Sequence, residues 1–501
     1  MKQNAWLEKI KNWIFDNKVF IIFAVLCIGA TLVSESPLFF VVDGIFSRIG
    51  RNTFTVLALI IPVLAGMGLN FSIVIGAIAA QIALFCTVYW GFTGFPGMLL
   101  TVAITTPLAI LFGYLVGKVM NAMKGAEMIA GMILGYFMDG LYQLLFLVLI
   151  GGVIPVDKTN PLIIPGGVGV RNTIDLTGNM KYSIDNVSML DILTFAAAVI
   201  GVIFLVKLVM GLLKKYHLKT SDYLTVGGMA VFYALSYIPA IETFMSTNRL
   251  RLIDGLTIGV VVVAIWQLFL LAKAIFSKDK KGTSVIKPLV TLFFCGALYA
   301  LTYIPEIEQV VMMVKIPVLS YLLIVALCIF NRKILDTRIG QNMRTVGLSQ
   351  SVATASGIDV DKTRILAMII STVLAGWGQL IYLQNIGAFG TYGAHLQIGQ
   401  FAIAALLVGG ASVQKANNKQ AIIGVILFHL LFIVAPQAGK MLFNNPQIGE
   451  YFRVFVSYGV IALSLAMHAW KKVEKEPEAK TPENGALPNG TATSEAGSTP
   501  S

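Results

Sequence analysis

The feature that most constrains this chain is the recurrence of apolar stretches near or above the roughly 20 residues that a helix needs to cross about 30 Å of hydrocarbon. About fourteen can be marked, near residues 19–34, 54–69, 71–90, 98–117, 128–151, 190–213, 222–245, 254–277, 286–306, 316–332, 364–384, 399–414, 420–438 and 452–470. With 57% hydrophobic and only 12% charged residues among 501, the chain cannot cover a water-facing surface with polar groups. The sequence therefore predicts an all-α, polytopic transmembrane helical bundle in a lipid bilayer. An even number of spans puts both termini on one side. If that side is the cytoplasm, most lysines and arginines fall in inner loops and termini, as the positive-inside rule requires. The formal charge of +12 then reports membrane orientation and not nucleic-acid binding, since no continuous basic face carries it. Arg48 and Arg51 depart from the pattern, because they fall between the first two spans on the outer side.

In residues 1–18, Trp6, Leu7, Ile10, Trp13 and Ile14 recur at helical spacing with Lys9 and Lys11 between them, which predicts a cytoplasmic interfacial helix. No small-x-small cleavage pattern follows the first apolar run, so that run is expected to be retained as part of a membrane domain over 19–470. Residues 471–501 change abruptly to Lys, Glu, Pro, Gly, Ser, Thr and Asn, a composition that predicts a disordered cytoplasmic tail. The longest outer loop, 152–189, carries Pro155, Pro161, Pro165 and the pair Gly166 and Gly167, and is expected to be irregular. An internal repeat stands in the middle: FYALSYIPAIE from Phe232 and LYALTYIPEIE from Leu298. Each copy ends a helix at Ile-Pro and is followed by another apolar helix, so 222–332 reads as two tandem helical hairpins.

Catalysis finds little support. His217, His395, His429 and His468 are scattered without metal-ligand spacing, no Cys-x-x-Cys pair exists, and no Gly-x4-Gly-Lys-[Ser/Thr] phosphate loop is present. Polar groups inside apolar spans are more informative, since burying them in hydrocarbon is costly. Asp139 lies near the middle of 128–151 with Gln143 one turn later on the same face, a pair suited to lining a solute path or fixing helix packing. Gly68, Asn70 and Ser72 sit in a junction too short for an aqueous loop, as in a broken helix whose freed backbone groups face a cavity or protein partners; it reads either as lining a solute path or as a simple kinked span. Gly113 with Gly117, and Gly131 with Gly135, have the small-xxx-small spacing that lets helices approach closely. The inner loop over 332–364 is expected to form a short helix at 346–355, ended by Gly357 and docking on a soluble partner.

At this loop the sequence resembles the permeases of the ribose, nucleoside and branched-chain amino acid class of ABC importers. Their loop reads Gly-x-Asn-x-x-Ala-Ala-x-x-x-Gly-Ile; here Gly347, Ala353, Gly357 and Ile358 match it, while Ser349 replaces the Asn and Val352 the first Ala. A Ser-Gly-x-x-Ala-Gly helix is matched by Ser371, Ala375 and Gly376. The stretch from Gly68 to Ser72 resembles the family's Gly-Ile-Asp-Leu-Ser, and that from Phe401 to Gly410 its Ile-Ala-x-Ala-x-x-Gly-Gly. EMIAGMILGY from Glu127 is similar to a segment of the nucleoside and simple-sugar branch, with Gly135 in place of Asn. The resemblance covers roughly 54–150 and 316–470 and leaves the hairpins as an apparent insertion.

The resemblance implies a permease subunit in a prokaryotic cytoplasmic membrane that moves a nucleoside or simple sugar. Two ATPase subunits would dock on the loop with Gly347, Ala353, Ala355, Gly357 and Ile358, and would hold the ATP and magnesium, leaving this chain without cofactor or catalytic residue. A second permease subunit, the same or a different chain, and an extracytoplasmic solute-binding protein would complete the importer. The alternative reading is an ion-coupled secondary transporter, for which Asp139 is the one supporting residue.

Overall fold

The computed structural model describes residues 18–213, 219–276 and 286–473. The interfacial helix expected at 1–18 lies outside them except for Lys18, and so does the tail beyond 473. Helices α1 (Lys18–Ser34), α2 (Leu38–Ala58), α3 (Ile60–Leu64), α4 (Ile73–Tyr89) and α5 (Gly94–Ala122) come first. They are followed by α6 (Glu127–Leu144), which continues through a π-helical turn at Leu145–Leu149. The middle holds α7 (Met189–Leu212), α8 (Thr220–Leu235), α9 (Pro239–Met245), α10 (Leu252–Phe276), α11 (Ile286–Leu301), α12 (Pro305–Met313) and α13 (Val318–Ile334). Then come α14 (Arg338–Leu348), α15 (Gln350–Ala355), α16 (Val360–Ile386), α17 (Ala394–Val408), α18 (Asn418–Phe443) and α19 (Pro446–Val473). The strands β1 (Thr173–Asp175), β2 (Arg249–Arg251), β3 (Lys315–Pro317) and β4 (Ala388–Gly390) are three residues each.

The fold is nearly all-α. Among the described residues seven helices are long and apolar enough to cross a membrane, or up to nine if the bent pairs α11 with α12 and α13 with α14 each form one span. Nine falls short of fourteen because α1, α4 and α17 are apolar but shorter, and α8, with 16 residues, and α19 are not among the qualifying helices. The first two spans need a correction. The second does not begin at 54 but at Leu38, so Arg48 and Arg51 lie inside a membrane helix and not in an outer loop. A window that seeks unbroken apolar sequence misses this helix, whose polar residues interleave with apolar ones and turn toward other helices instead of lipid.

The core forms where α16 lies against α2, α4 and α5. Small residues permit the approach: a Cβ at Gly113 or Gly117 would stand 2.8 or 2.9 Å from the Cα of Ile369 or Ile365, and Gly376 abuts Thr105 and Gly76. Helices α4 and α17 are apolar on every side because other helices enclose them. By contrast α7 and α10 bury almost nothing, and their apolar flanks suit lipid. The segment 153–188 is irregular apart from β1, which pairs antiparallel with β4. Gly94 N donates to Asn179 O at 2.8 Å, which ties this segment to the start of α5, and the repeat strands β2 and β3 pair with each other.

The two hairpin copies face each other. Strands β2 and β3 pair around Leu250 opposite Ile316, residues that hold the same place in the two copies, with Arg249 opposite Pro317 and Arg251 opposite Lys315. The equivalence extends to the preceding helices: α10 packs on α11 as α7 packs on α8, and Thr257 Oγ1 lies 3.3 Å from the Tyr299 hydroxyl. Each copy is thus a long helix, a half-length helix, a short helix and a strand.

At the end of the bundle opposite the strands, Arg364 in the first turns of α16 is fully buried, and its Nη2 donates to Glu127 Oε1 at 2.6 Å. Removing one partner of a buried pair strands the other charge. Glu127→Ala is expected to cost about 3 kcal/mol of stability, read as a lower melting temperature of the purified chain. Adding Arg364→Met should recover most of that loss.

Candidate functional site

Helices α2 and α3 form one span that breaks at 65–72, and the break follows from the sequence. Pro62 has no N–H to give Ala58 O, and Gly66 and Gly68 take φ of +73° and +70°, a region that side chains with a Cβ rarely adopt. The freed groups find partners. Ser371 Oγ on α16 donates to Ala58 O at 3.0 Å and accepts from Asn70 Nδ2 at 3.2 Å, while Ser72 Oγ donates to Asn70 Oδ1 at 2.5 Å. Asn331 Nδ2 donates to Leu57 O at 3.2 Å. Asn70 and Ser72 are therefore buried and occupied with each other, and Gly68 faces Val413 and Met128.

The loop helix sits directly on this break. A Cβ at Gly66 would lie 2.7 Å from Gly347 Cα, and one at Gly347 would overlap Leu64 O, so α14 and α3 touch backbone to backbone. Beside the contact is a cavity of about 220 Å³ lined by Gly66, Gly68, Glu127, Gly347 and Gln414 among others. The single helix expected at 346–355 is in fact two, α14 and α15. Ser349 divides them at φ −160° and caps α15, its Oγ accepting from Val352 N at 3.3 Å. Gly357 follows α15 at φ +77°. Val346 and Ala353 pack with Val360 and Ile358 into a small core, while Leu348 and Val352 are exposed, as are Ala355 and Gly357. Asp359 caps α16, and the Lys362 amide and ammonium hold its carboxyl below the usual carboxylate range.

A second polar group lies within the bundle. Asp139 Oδ2 accepts from Gln143 Nε2 at 3.0 Å, and Asp139 Oδ1 lies 2.7 Å from His395 Nε2. His395 Nδ1 lies 3.0 Å from Gln81 Oε1, and the ring packs edge-on against Tyr142 at 4.9 Å. Both ring nitrogens face oxygen, an arrangement that suits a doubly protonated ring; turning the Gln81 amide over would suit the neutral one. Gln81 Nε2 and the Tyr142 hydroxyl are buried without a hydrogen-bond partner among the described residues. Sequence reading found Asp139 and Gln143 by their spacing but not Gln81 or His395, which come from distant helices that no local pattern links. Between this cluster and the break, Phe71, Gly135, Tyr136, Gly399 and Gln400 border a cavity of about 40 Å³.

Residues 223–465 match the family model described as branched-chain amino acid transport system / permease component. A stretch of 126 residues, 24% of this chain, is 31% identical to the nucleoside ABC transporter permease protein NupB of Lactococcus lactis subsp. cremoris (strain MG1363), of which it covers 31%. Over 153 residues, 30% of the chain, identity to the xylose transport system permease protein XylH of Haemophilus influenzae is 29%, covering 38% of that protein. Over 140 residues, 28% of the chain, identity to the galactose/methyl galactoside import permease protein MglC of the same species is 26%, covering 40%. The chain thus spans well under half the length of these curated relatives. No solved structure is a significant match.

Four substitutions probe the geometry. Gly347→Ala must push α14 off the break and is expected to cost about 1–3 kcal/mol, whereas Gly228→Ala, in open space on α8, should leave the melting temperature unchanged or slightly raised. Asp139→Leu leaves a buried His395 nitrogen without its acceptor, for about 1–3 kcal/mol. Asp139→Asn keeps an acceptor there and should lose less in the same melting assay.

Proposed function

We infer, from a chain that resembles the ABC importer permeases of the nucleoside and simple-sugar branch, that it is the membrane-spanning permease of such an importer. The solute is a small polar molecule, a nucleoside or simple sugar. In this reading both termini and the α14–α15 loop lie in the cytoplasm of a prokaryotic cell, the orientation favoured by the bias of lysine and arginine along the sequence. The strand end faces outward and receives solute from an extracytoplasmic binding protein. A second permease subunit completes the channel. ATP and magnesium are held by partner ATPase subunits, and this chain contributes no catalytic group. The arm of two hairpin copies, from α7 to β3, is an elaboration outside the pathway, whereas α13, which the sequence reading over 222–332 included, belongs to the bundle.

The observation that carries this reading is the backbone contact between Gly347 and Gly66. A partner gripping the exposed Leu348, Val352 and Ala355 moves α14–α15 as a unit, because Val346 and Ala353 are packed into the same small core. That motion reaches the broken span directly, since no side chain stands between α14 and α3. From the break, the small cavity at Gly135 and Gly399 leads along α6 and α17 toward Asp139, His395 and Gln143. The orphaned Gln81 amide and Tyr142 hydroxyl there suit the hydroxyls of a sugar or ribose. Alternating access then consists of the break and its cavity opening in turn to each side. The relatives give no support to an ion-coupled carrier.

The test is recovery of partners from native membranes with the tagged chain. Wild type is expected to bring down an ATPase subunit, and Val352→Glu, on the exposed face, to lose it while the chain still melts normally. Ala353→Glu should lose both, because Ala353 is buried. Wild-type recovery of no ATPase, with uptake by the purified chain alone, would overturn the reading.

A further inference from the structure

The strand half of the bundle holds positive charge that neither the loop nor the polar cluster accounts for. Arg48 and Arg51 stand about one turn apart on α2, both half-buried. Arg453 on α19 lies within electrostatic reach of Arg48, as does Glu450, the carboxylate that Arg453 already engages, and His429 on α18 lies within reach of both α2 arginines. Arg453 is the best satisfied: it pairs with Glu450, its Nη1 donates to Phe432 O at 2.7 Å, and its guanidinium lies 4.8 Å from the Phe432 ring centre. Arg51 has one long hydrogen bond, Nη1 to Asn385 Oδ1 at 3.5 Å, with the Tyr382 ring centre 5.8 Å away. Its buried Nε has no partner among the described residues. Asp185, the buried carboxylate nearest in the network, reaches Arg51 only through Asn385, and its oxygens already accept from Ser320, Gln384 and Asn385. Among the described residues no hydrogen bond or ion pair reaches the Arg48 side chain. His429 is 4% exposed, and its buried Nδ1 also lacks a partner.

Taking a guanidinium out of water without a counter-charge costs several kcal/mol, and two adjacent ones repel each other as well. Such a cluster persists when an anion completes it, and the planar fork of arginine matches the oxygens of a carboxylate or phosphate. We propose that Arg48, Arg51 and His429 form a binding site for an anionic group, a phosphate or carboxylate, between α2, α16 and α18. A neutral nucleoside or sugar cannot supply that charge, so this site is distinct from the polar cluster around Asp139. A free anion and the headgroup of an acidic phospholipid offer the same chemistry.

The full-length chain in phosphatidylcholine nanodiscs, titrated with sodium phosphate against sodium chloride of equal ionic strength, tests the first source. Nanodiscs with increasing phosphatidylglycerol test the second. At least one titration is expected to raise the melting temperature saturably, and the Arg48→Gln/Arg51→Gln pair to weaken half-saturation by about tenfold or more, as loss of charge-assisted hydrogen bonds implies. Arg48→Lys, which keeps the charge but not the fork, should fall between. A rise with phosphate identifies a free anion, and a rise with phosphatidylglycerol alone identifies a headgroup. No saturable rise in wild type with either, or an equal rise in the Gln pair and wild type, overturns the site. This readout needs no ATPase partner, so it stands or falls apart from the importer reading.

Discussion

Hydrocarbon offers no hydrogen-bond partner to a peptide group, so every irregularity in a membrane helix must be answered from within the protein. The break between α3 and α4 is where this constraint shapes the molecule. Pro62 removes one donor, the positive-φ glycines unwind the chain, and Asn70, Ser72, Ser371 and Asn331 supply replacements from three separate parts of the sequence. That dependence ties α2, α13 and α16 together. It also leaves the break with no side chain where Gly66 meets Gly347, and so opens its backbone to contact by the loop.

Much of this was legible in the sequence because the relevant signals are local. Composition and the length of apolar runs specify the class of fold, and Gly68 with Asn70 and Ser72 mark the break. Gly347 and Gly357 marked the loop. The failures have a common cause in long-range contacts. The start of α2 is hidden because Arg48 and Arg51 read as part of an aqueous loop, and nothing in the sequence shows the helices that half-bury them. The division of the loop at Ser349 turns on one extended residue and a side-chain cap, a choice that the helix-compatible run around it does not reveal. His395 joins Asp139 from 256 residues away and Gln81 from another helix, α4, beyond the reach of any spacing argument.

The repeat shows the same division between pattern and placement. Two similar eleven-residue stretches disclose duplication, but not that the copies meet through β2 and β3 about a local twofold, with Leu250 across from Ile316. Nor do they disclose that each copy begins one helix earlier, in α7 and α10, which pack on the hairpin helices α8 and α11. An arm held by its own symmetry needs little from the bundle. This accounts for α7 and α10 presenting apolar surface on nearly every side.

The polar groups inside the bundle divide into two kinds by how completely they are satisfied. Asn70, Ser72 and Ser371 close on one another and on backbone carbonyls, so they hold a shape. Around Asp139 and Arg48 the accounting stays open: Gln81 Nε2, the Tyr142 hydroxyl, Arg51 Nε and His429 Nδ1 are buried without a partner among the described residues, as are Arg364 Nε and Gln379 Nε2 elsewhere in the bundle. Leaving such a group unpaired costs about 1–3 kcal/mol, and several together are a large fraction of a protein's net stability of roughly 5–15 kcal/mol. A bundle that only had to fold would shed them for apolar side chains. Where such atoms gather around an acid and around bases, the proposed solute path and the proposed anion site would each supply the missing partners.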